Sequence, residues 1–114
     1  MLTYAVLSFA AAALGGLVLA SYVLRGHLAP WALSLAHAGL GALGLVFVAY
    51  AILEGASGHV PIALAILVVA ALGGFYLAWQ HMQKKIAPSG VVLVHAGAAV
   101  VGFLLLCNAV FGLL

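Results

Sequence analysis

Four long apolar stretches, separated by three short polar linkers, divide the chain almost evenly. The stretches cover about Leu2–Leu24, Trp31–Leu53, Val60–Gln83 and Ser89–Leu113. Each has the roughly 20 apolar residues that a helix needs to cross the hydrocarbon core of a bilayer. Because backbone N–H and C=O groups in hydrocarbon must pair within one segment, each stretch is predicted to be a helix. The runs are continuous and do not alternate, which disfavours a transmembrane β-barrel.

Composition points to the same class of protein. Of the 114 residues, 69% are hydrophobic and 4% are charged, so a water-soluble surface cannot be built. The sequence therefore predicts one integral membrane domain over residues 1–114, with the lipid bilayer as its surroundings. The first stretch lacks a basic leader and is too long for a cleaved signal peptide, so it is expected to be retained. A net charge of +2 is too small for a nucleic-acid surface.

The few charged residues are distributed unevenly between the two sides of the predicted bundle. Arg25, Lys84 and Lys85 lie in the first and third linkers, whereas the only acidic residue, Glu54, lies in the second. By the positive-inside rule the basic linkers face the cytoplasm, and both termini lie on the outer side. The expected location is a bacterial inner membrane.

The second half of the chain repeats the first at an offset of 58 residues. Sixteen of the 56 aligned pairs are identical, where the biased composition gives about seven by chance. The aligned motifs are Ala13–Gly16 with Ala71–Gly74, Pro30 with Pro88, and His37–Gly39 with His95–Gly97. We therefore predict an all-α four-helix membrane bundle made of two tandem transmembrane hairpins, repeat 1 about 1–57 and repeat 2 about 58–114. Because both repeats start on the same side, they are related by a pseudo-two-fold axis along the membrane normal.

The repeated histidines are the strongest candidates for a functional site. His37 and His95 each stand seven residues after the aligned proline, at about 10 Å of helix rise from the basic linkers. They are expected at the same depth on equivalent helices. An imidazole inside a membrane is costly unless it has a partner, so intramembrane histidines are functional candidates by default.

Small residues accompany each histidine at the fourth and seventh following positions, which share its helix face. They are Gly41, Gly44, Ala99 and Gly102. Two opposed imidazoles and flat walls suit a planar macrocycle, and histidine is an established haem ligand. The sequence thus predicts one haem b whose iron is bound by His37 and His95. Hydrogen bonding across closely packed helices, or a quinone, metal or proton site, remain alternatives.

His81 is a further candidate near the inner end of the third stretch, where the aligned residue of the first repeat is Val23. It is a candidate to replace one proposed ligand or to donate to a haem propionate, and a place at the membrane interface without a cofactor is the alternative. The glycine pairs at Gly15–Gly16 and Gly73–Gly74 are expected to serve helix packing.

With four short helices and the paired His-Ala-Gly motifs at His37 and His95, the chain resembles small bis-histidine membrane cytochromes b. The resemblance implies single-electron transfer, to or from a quinone or a larger respiratory or redox complex. Whether the chain is a subunit of such a complex or a homo-oligomer is left open. The sequence offers no nucleophile or general acid–base pair, so we expect an electron carrier and not an enzyme acting alone. The second ligand pair of two-haem members is missing here.

Two other classes of membrane protein are disfavoured by the sequence. Small multidrug exporters and duplicated proton-translocating ring subunits depend on a carboxylate within a membrane helix, and Glu54 lies at a helix end. A cofactor-free accessory subunit of a larger membrane complex is the remaining alternative, because it would also explain the Gly- and Ala-rich helices.

Overall fold

The computed structural model describes residues 1–113, and it confirms the all-α fold class. The chain forms four helices of 23 residues each, and the described residues contain no strand. The helices are α1 (Leu2–Leu24), α2 (Trp31–Leu53), α3 (Val60–Met82) and α4 (Ser89–Phe111). The predicted stretches agree with these bounds to within two residues. The helix α4 ends at Phe111 because Gly112 turns into the left-handed region (φ 63°).

Local sequence explains where the helices begin and end at the basic linkers. Pro30 and Pro88 directly precede α2 and α4, where a residue without an N–H loses no helical hydrogen bond. The residue two positions after the end of α1 is Gly26, and the residue two positions after the end of α3 is Lys84. Both have positive φ, 77° and 58°. At each end the chain folds back so that the next residue donates its N–H to a carbonyl of the last turn.

The two hairpins, α1–α2 (hairpin 1) and α3–α4 (hairpin 2), have the same layout. Each helix of hairpin 2 begins and ends 58 residues after its equivalent in hairpin 1. Around the bundle the order is α1, α2, α3, α4, and packing is closer within each hairpin than between them. Within residues 1–113 the diagonal pairs, α1 with α3 and α2 with α4, make no close backbone contact.

The two ends of the bundle are packed differently. We call the end with the α1–α2 and α3–α4 linkers the basic end, and the opposite end, with Met1 and the α2–α3 linker, the terminal end. The buried hydrophobic cluster lies entirely in the half toward the terminal end. Its members are Ala5, Val6, Val48, Val60, Ala63, Leu67, Leu106 and Cys107.

The outside of the bundle is apolar. Large hydrophobic side chains such as Leu14, Leu53 and Val94 are exposed along the helices, and all four helices are long and apolar enough to cross a membrane. The bundle is 42 Å long, close to the thickness of a bilayer with its headgroup regions. These features are consistent with an integral membrane protein.

Candidate functional site

The two repeated histidines hold equivalent positions in the two hairpins. The Nδ1–H of His37 on α2 donates to the carbonyl of Ala12 on α1, at 2.7 Å. The Nδ1–H of His95 on α4 donates to the carbonyl of Ala70 on α3, at 2.6 Å. Each bond joins the two helices of one hairpin across 25 residues of sequence, so each ring is oriented by its own hairpin.

A glycine makes room for each ring. A Cβ added to Gly16 would lie 2.9 Å from Cε1 of His37, and one added to Gly74 would lie 3.1 Å from Cε1 of His95. Each glycine stands four residues after the accepting alanine, directly beside the same carbonyl on the helix surface. The glycine therefore exposes that carbonyl to the ring and lets the Nδ1–Cε1 edge of the ring approach the helix closely.

The hydrogen bonds fix which nitrogen of each neutral imidazole carries the proton. A backbone carbonyl can only accept, so Nδ1 of His37 and of His95 must be the donor. The Nε2 atom of a neutral ring then has a free lone pair, and within residues 1–113 it has no hydrogen-bond partner. A metal-bound histidine is commonly oriented in this way, with its second nitrogen donating to a carbonyl.

The two rings meet across the diagonal of the bundle. Their centres are 6.1 Å apart and their planes are inclined by 80°. Two imidazoles whose nitrogens each lie about 2.0 Å from one metal have centres about 6 Å apart, so the separation fits a shared metal ion. It also lies within the range of a direct edge-to-face contact between rings.

The small residues near the histidines differ in their surroundings. A Cβ added to Gly41 would meet nothing within 4 Å among the described residues, and Ala99 is half-buried. Gly44 and Gly102 are buried, and a side chain from the preceding helix occupies the space beside each of them. Added Cβ atoms there would lie 2.7 Å from the ring of Phe9 and 2.6 Å from Leu67.

Gly44 and Gly102 thus serve helix packing in this structure, at equivalent places in the two hairpins. A role for them beside a cofactor stays a prediction, as it does for Gly41 and Ala99. Gly39, Gly90 and Gly97 likewise have nothing within 4 Å of an added Cβ among the described residues, so Gly41 does not by itself mark a cavity beside His37. The half of the bundle toward the basic end contributes nothing to the buried cluster.

His81 has a different environment from the repeated pair. Its Nε2–H donates to the carbonyl of Ala29 at 2.8 Å, and its Nδ1 accepts from the hydroxyl of Ser34 at 2.6 Å. Its ring also meets Trp31 edge-on, with the ring centres 5.0 Å apart. Both nitrogens are therefore used to join α3 to hairpin 1, so an exchange of partners would be needed before His81 could bind iron.

Four hydrogen-bond partners of the histidines were not predicted from sequence: the carbonyls of Ala12, Ala70 and Ala29, and the hydroxyl of Ser34. The first two had a signal, because the alanine and glycine at positions 12 and 16 recur at positions 70 and 74 with the same spacing to a histidine. The Ser34 contact had none, since Val92 stands at its equivalent position in hairpin 2.

Comparisons with protein-family models, with curated proteins and with solved structures find no match to this chain. The chemistry of the site is therefore judged from its own residues.

Proposed function

We propose that this chain is a membrane b-type cytochrome that transfers single electrons through one haem held by His37 and His95. The observation that carries the proposal is the paired imidazole geometry. Each Nδ1 is bound to a carbonyl of its own hairpin, each Nε2 lone pair is free, and the ring centres are 6.1 Å apart. The Nδ1–carbonyl bonds are typical of metal-binding histidines, and the separation of the ring centres is compatible with one shared metal ion.

The number of protein ligands favours haem over a bare metal ion. Among residues 1–113 no group of three or more His, Cys, Asp or Glu side chains comes together. Zinc sites in proteins use at least three protein ligands. A haem would bring four nitrogen ligands of its own, so the two protein ligands His37 and His95 would suffice to hold it.

The haem supplies the one-electron redox chemistry when it is bound. The protein's part is to hold each imidazole in the correct tautomer and direction. The Ala12 and Ala70 carbonyls accept hydrogen bonds from the Nδ1–H groups, which increases the basicity of Nε2. Both rings are half-buried among apolar helices. His37 and His95 thereby present two matched, electron-rich nitrogens at one depth.

The electron donor or acceptor is a quinone or a larger redox complex in this proposal. The bundle lies in a bacterial inner membrane, with the basic end toward the cytoplasm and both termini outside, as the positive-inside rule predicts. A cysteine introduced at Ser57, in the α2–α3 linker, should react with an impermeant thiol reagent added to intact spheroplasts. Labelling only after membrane rupture would reverse the orientation.

Spectroscopy of the purified protein tests the haem directly. Reduced-minus-oxidised spectra of protein from haem-replete cells should show sharp α and Soret bands, and His37→Ala and His95→Ala should each abolish them. His59→Ala, at the terminal end, is the matched control and should keep the bands. Bands that survive in either ligand variant but disappear in His81→Ala would reassign a ligand.

A cofactor-free accessory subunit is the second candidate, and one observation favours it. The His37 and His95 rings are close enough for direct edge-to-face contact. In this alternative the contact between the rings packs the two hairpins together. A stable, colourless protein from haem-replete cells would establish this alternative and refute the cytochrome.

A further inference from the structure

The basic end of the bundle contains a groove between α3 and hairpin 1. It is mostly apolar and opens outward, and we call it the basic groove. The groove is lined by Leu28, Ala29, Trp31, His81, Met82 and Lys84. Its shape is maintained by His81, which bonds to both the α1–α2 linker and α2. The groove is therefore part of the folded bundle and does not depend on a cofactor.

Lys84, the cationic residue of this groove, has an unusual backbone conformation. Lys84 is the only residue other than glycine with positive φ in the part of the chain that the structure describes. Its equivalent in hairpin 1 is Gly26, which adopts the same conformation without a Cβ penalty. A lysine at this position is less favourable for folding than glycine, so the side chain is expected to have a role of its own.

The equivalent place between α1 and α4 provides an internal comparison. At the positions matching Trp31, His81 and Lys84, the repeat has Ser89, Val23 and Gly26. The tryptophan, the histidine and the lysine therefore occur together on one side of the pseudo-dyad only.

The nearest cation of the first hairpin is already engaged with its own helix. The Nε–H of Arg25 donates to the carbonyl of Ser21, and its guanidinium lies over the ring of Tyr22, 5.2 Å from the ring centre. Arg25 is thus directed along α1, whereas Lys84 lines the groove.

We propose that the basic groove binds an anionic phospholipid, with its phosphate at Lys84 and the start of an acyl chain along Leu28 and Met82. The charge at this end supports this occupant, because Arg25, Lys84 and Lys85 lie here and the single carboxylate, Glu54, lies at the other end. Basic pockets between membrane helices are recognised sites for acidic headgroups. Trp31 at the rim suits the interfacial region where headgroups begin.

Competitive lipid binding tests this site, using whole protein in a neutral detergent. The protein is incubated with equal amounts of phosphatidylglycerol and phosphatidylcholine that have the same acyl chains, and retained lipids are counted by native mass spectrometry. Wild type should retain phosphatidylglycerol about fivefold over phosphatidylcholine, the preference expected from one lysine near an anionic headgroup.

Two variants remove the charge and keep the turn. Lys84→Gly copies the residue of the equivalent position in hairpin 1, and Lys84→Asn keeps a side chain that tolerates positive φ. Both should bring the retention ratio close to one. Lys85→Gln removes a neighbouring charge that does not line the groove, and it should keep most of the preference.

Three results would overturn the proposal: equal retention of both lipids by wild type, an equal effect of the Lys84 and Lys85 variants, or release of the lipid by millimolar glycerol phosphate. The last result would mean that the groove recognises a free phosphate and not a lipid. The measurement needs no haem, so its outcome is independent of the cytochrome proposal.

Discussion

The most direct test of the histidine geometry is an alanine series at the four glycines that face the rings. An added methyl at Gly16 would lie 2.9 Å from Cε1 of His37, and one at Gly74 would lie 3.1 Å from Cε1 of His95. At the neighbouring Gly15 and Gly73 the nearest atoms are 3.8 and 3.7 Å away, which is ordinary contact. Adjacent positions on one helix therefore differ in how closely the added methyl approaches the histidine.

The expected magnitudes follow from these distances. Replacing glycine by alanine within a helix gains about 0.5–1 kcal/mol, so Gly15→Ala and Gly73→Ala should be neutral or stabilising. At Gly16 the ring must retreat by about 0.5 Å to reach ordinary contact, although its Nδ1 is bound to the Ala12 carbonyl on the same helix. Overpacking costs about 1–3 kcal/mol, so Gly16→Ala should be destabilising on balance.

The assay is thermal unfolding of the four variants in one detergent, together with their haem content. We expect a clear decrease in Tm for Gly16→Ala, a smaller decrease for Gly74→Ala, and none for the two controls. In haem-loaded protein, displacing a ligand from its supporting carbonyl should weaken binding about tenfold or more. If Gly16→Ala is as mild as Gly15→Ala, the His37 ring does not lie against α1 and the reasoning fails.

Three further predictions concern packing and the basic end. Gly44→Ala should destabilise the bundle by about 1–3 kcal/mol because Phe9 fills that space; Phe9→Leu in the same chain should recover part of the loss in urea or thermal unfolding. Lys84→Gly should raise the Tm, by the equivalent of about 1 kcal/mol, because the left-handed turn is then unstrained; a lower Tm would contradict this. His81→Val should cost about 1–3 kcal/mol, since it leaves the Ala29 carbonyl unpaired, whereas Ser34→Val should cost less in the same assay.

The fold was predictable because length and apolarity decide it. Runs of 23 apolar residues leave few alternatives to a helix in a bilayer, and the prolines and glycines of the linkers mark the ends. The depth of the candidate site was also predictable, because His37 and His95 repeat at a fixed distance from Pro30 and Pro88. Once the helices are paired as hairpins, the repeat requires equivalent surroundings for the two rings.

The contacts of the rings could not be predicted in the same way. In a water-soluble bundle an apolar stripe shows which helix face is buried, but these helices are apolar on every side. The rotation of α2 against α1 is therefore not encoded in the pattern of either helix alone. The sequence alone therefore does not show that Phe9 occupies the space beside Gly44, or that Gly16 receives the His37 ring. The role of Gly44 beside a cofactor stays a prediction.

The distribution of matched and unmatched residues between the hairpins fits the two proposals. A haem shared by the two hairpins would be held by one histidine from each, and a single hairpin supplies only one such histidine. The second hairpin provides the second histidine together with its carbonyl and its glycine. Ala12, Gly16 and His37 are identical to their equivalents at positions 70, 74 and 95. A bound lipid needs only one groove. The hairpins differ at this groove, because hairpin 2 has Lys84 where hairpin 1 has Gly26. Selection for a shared metal site would keep the histidine, the alanine and the glycine alike in both hairpins. A lipid site on one side of the bundle would leave the equivalent positions of the other hairpin free to differ.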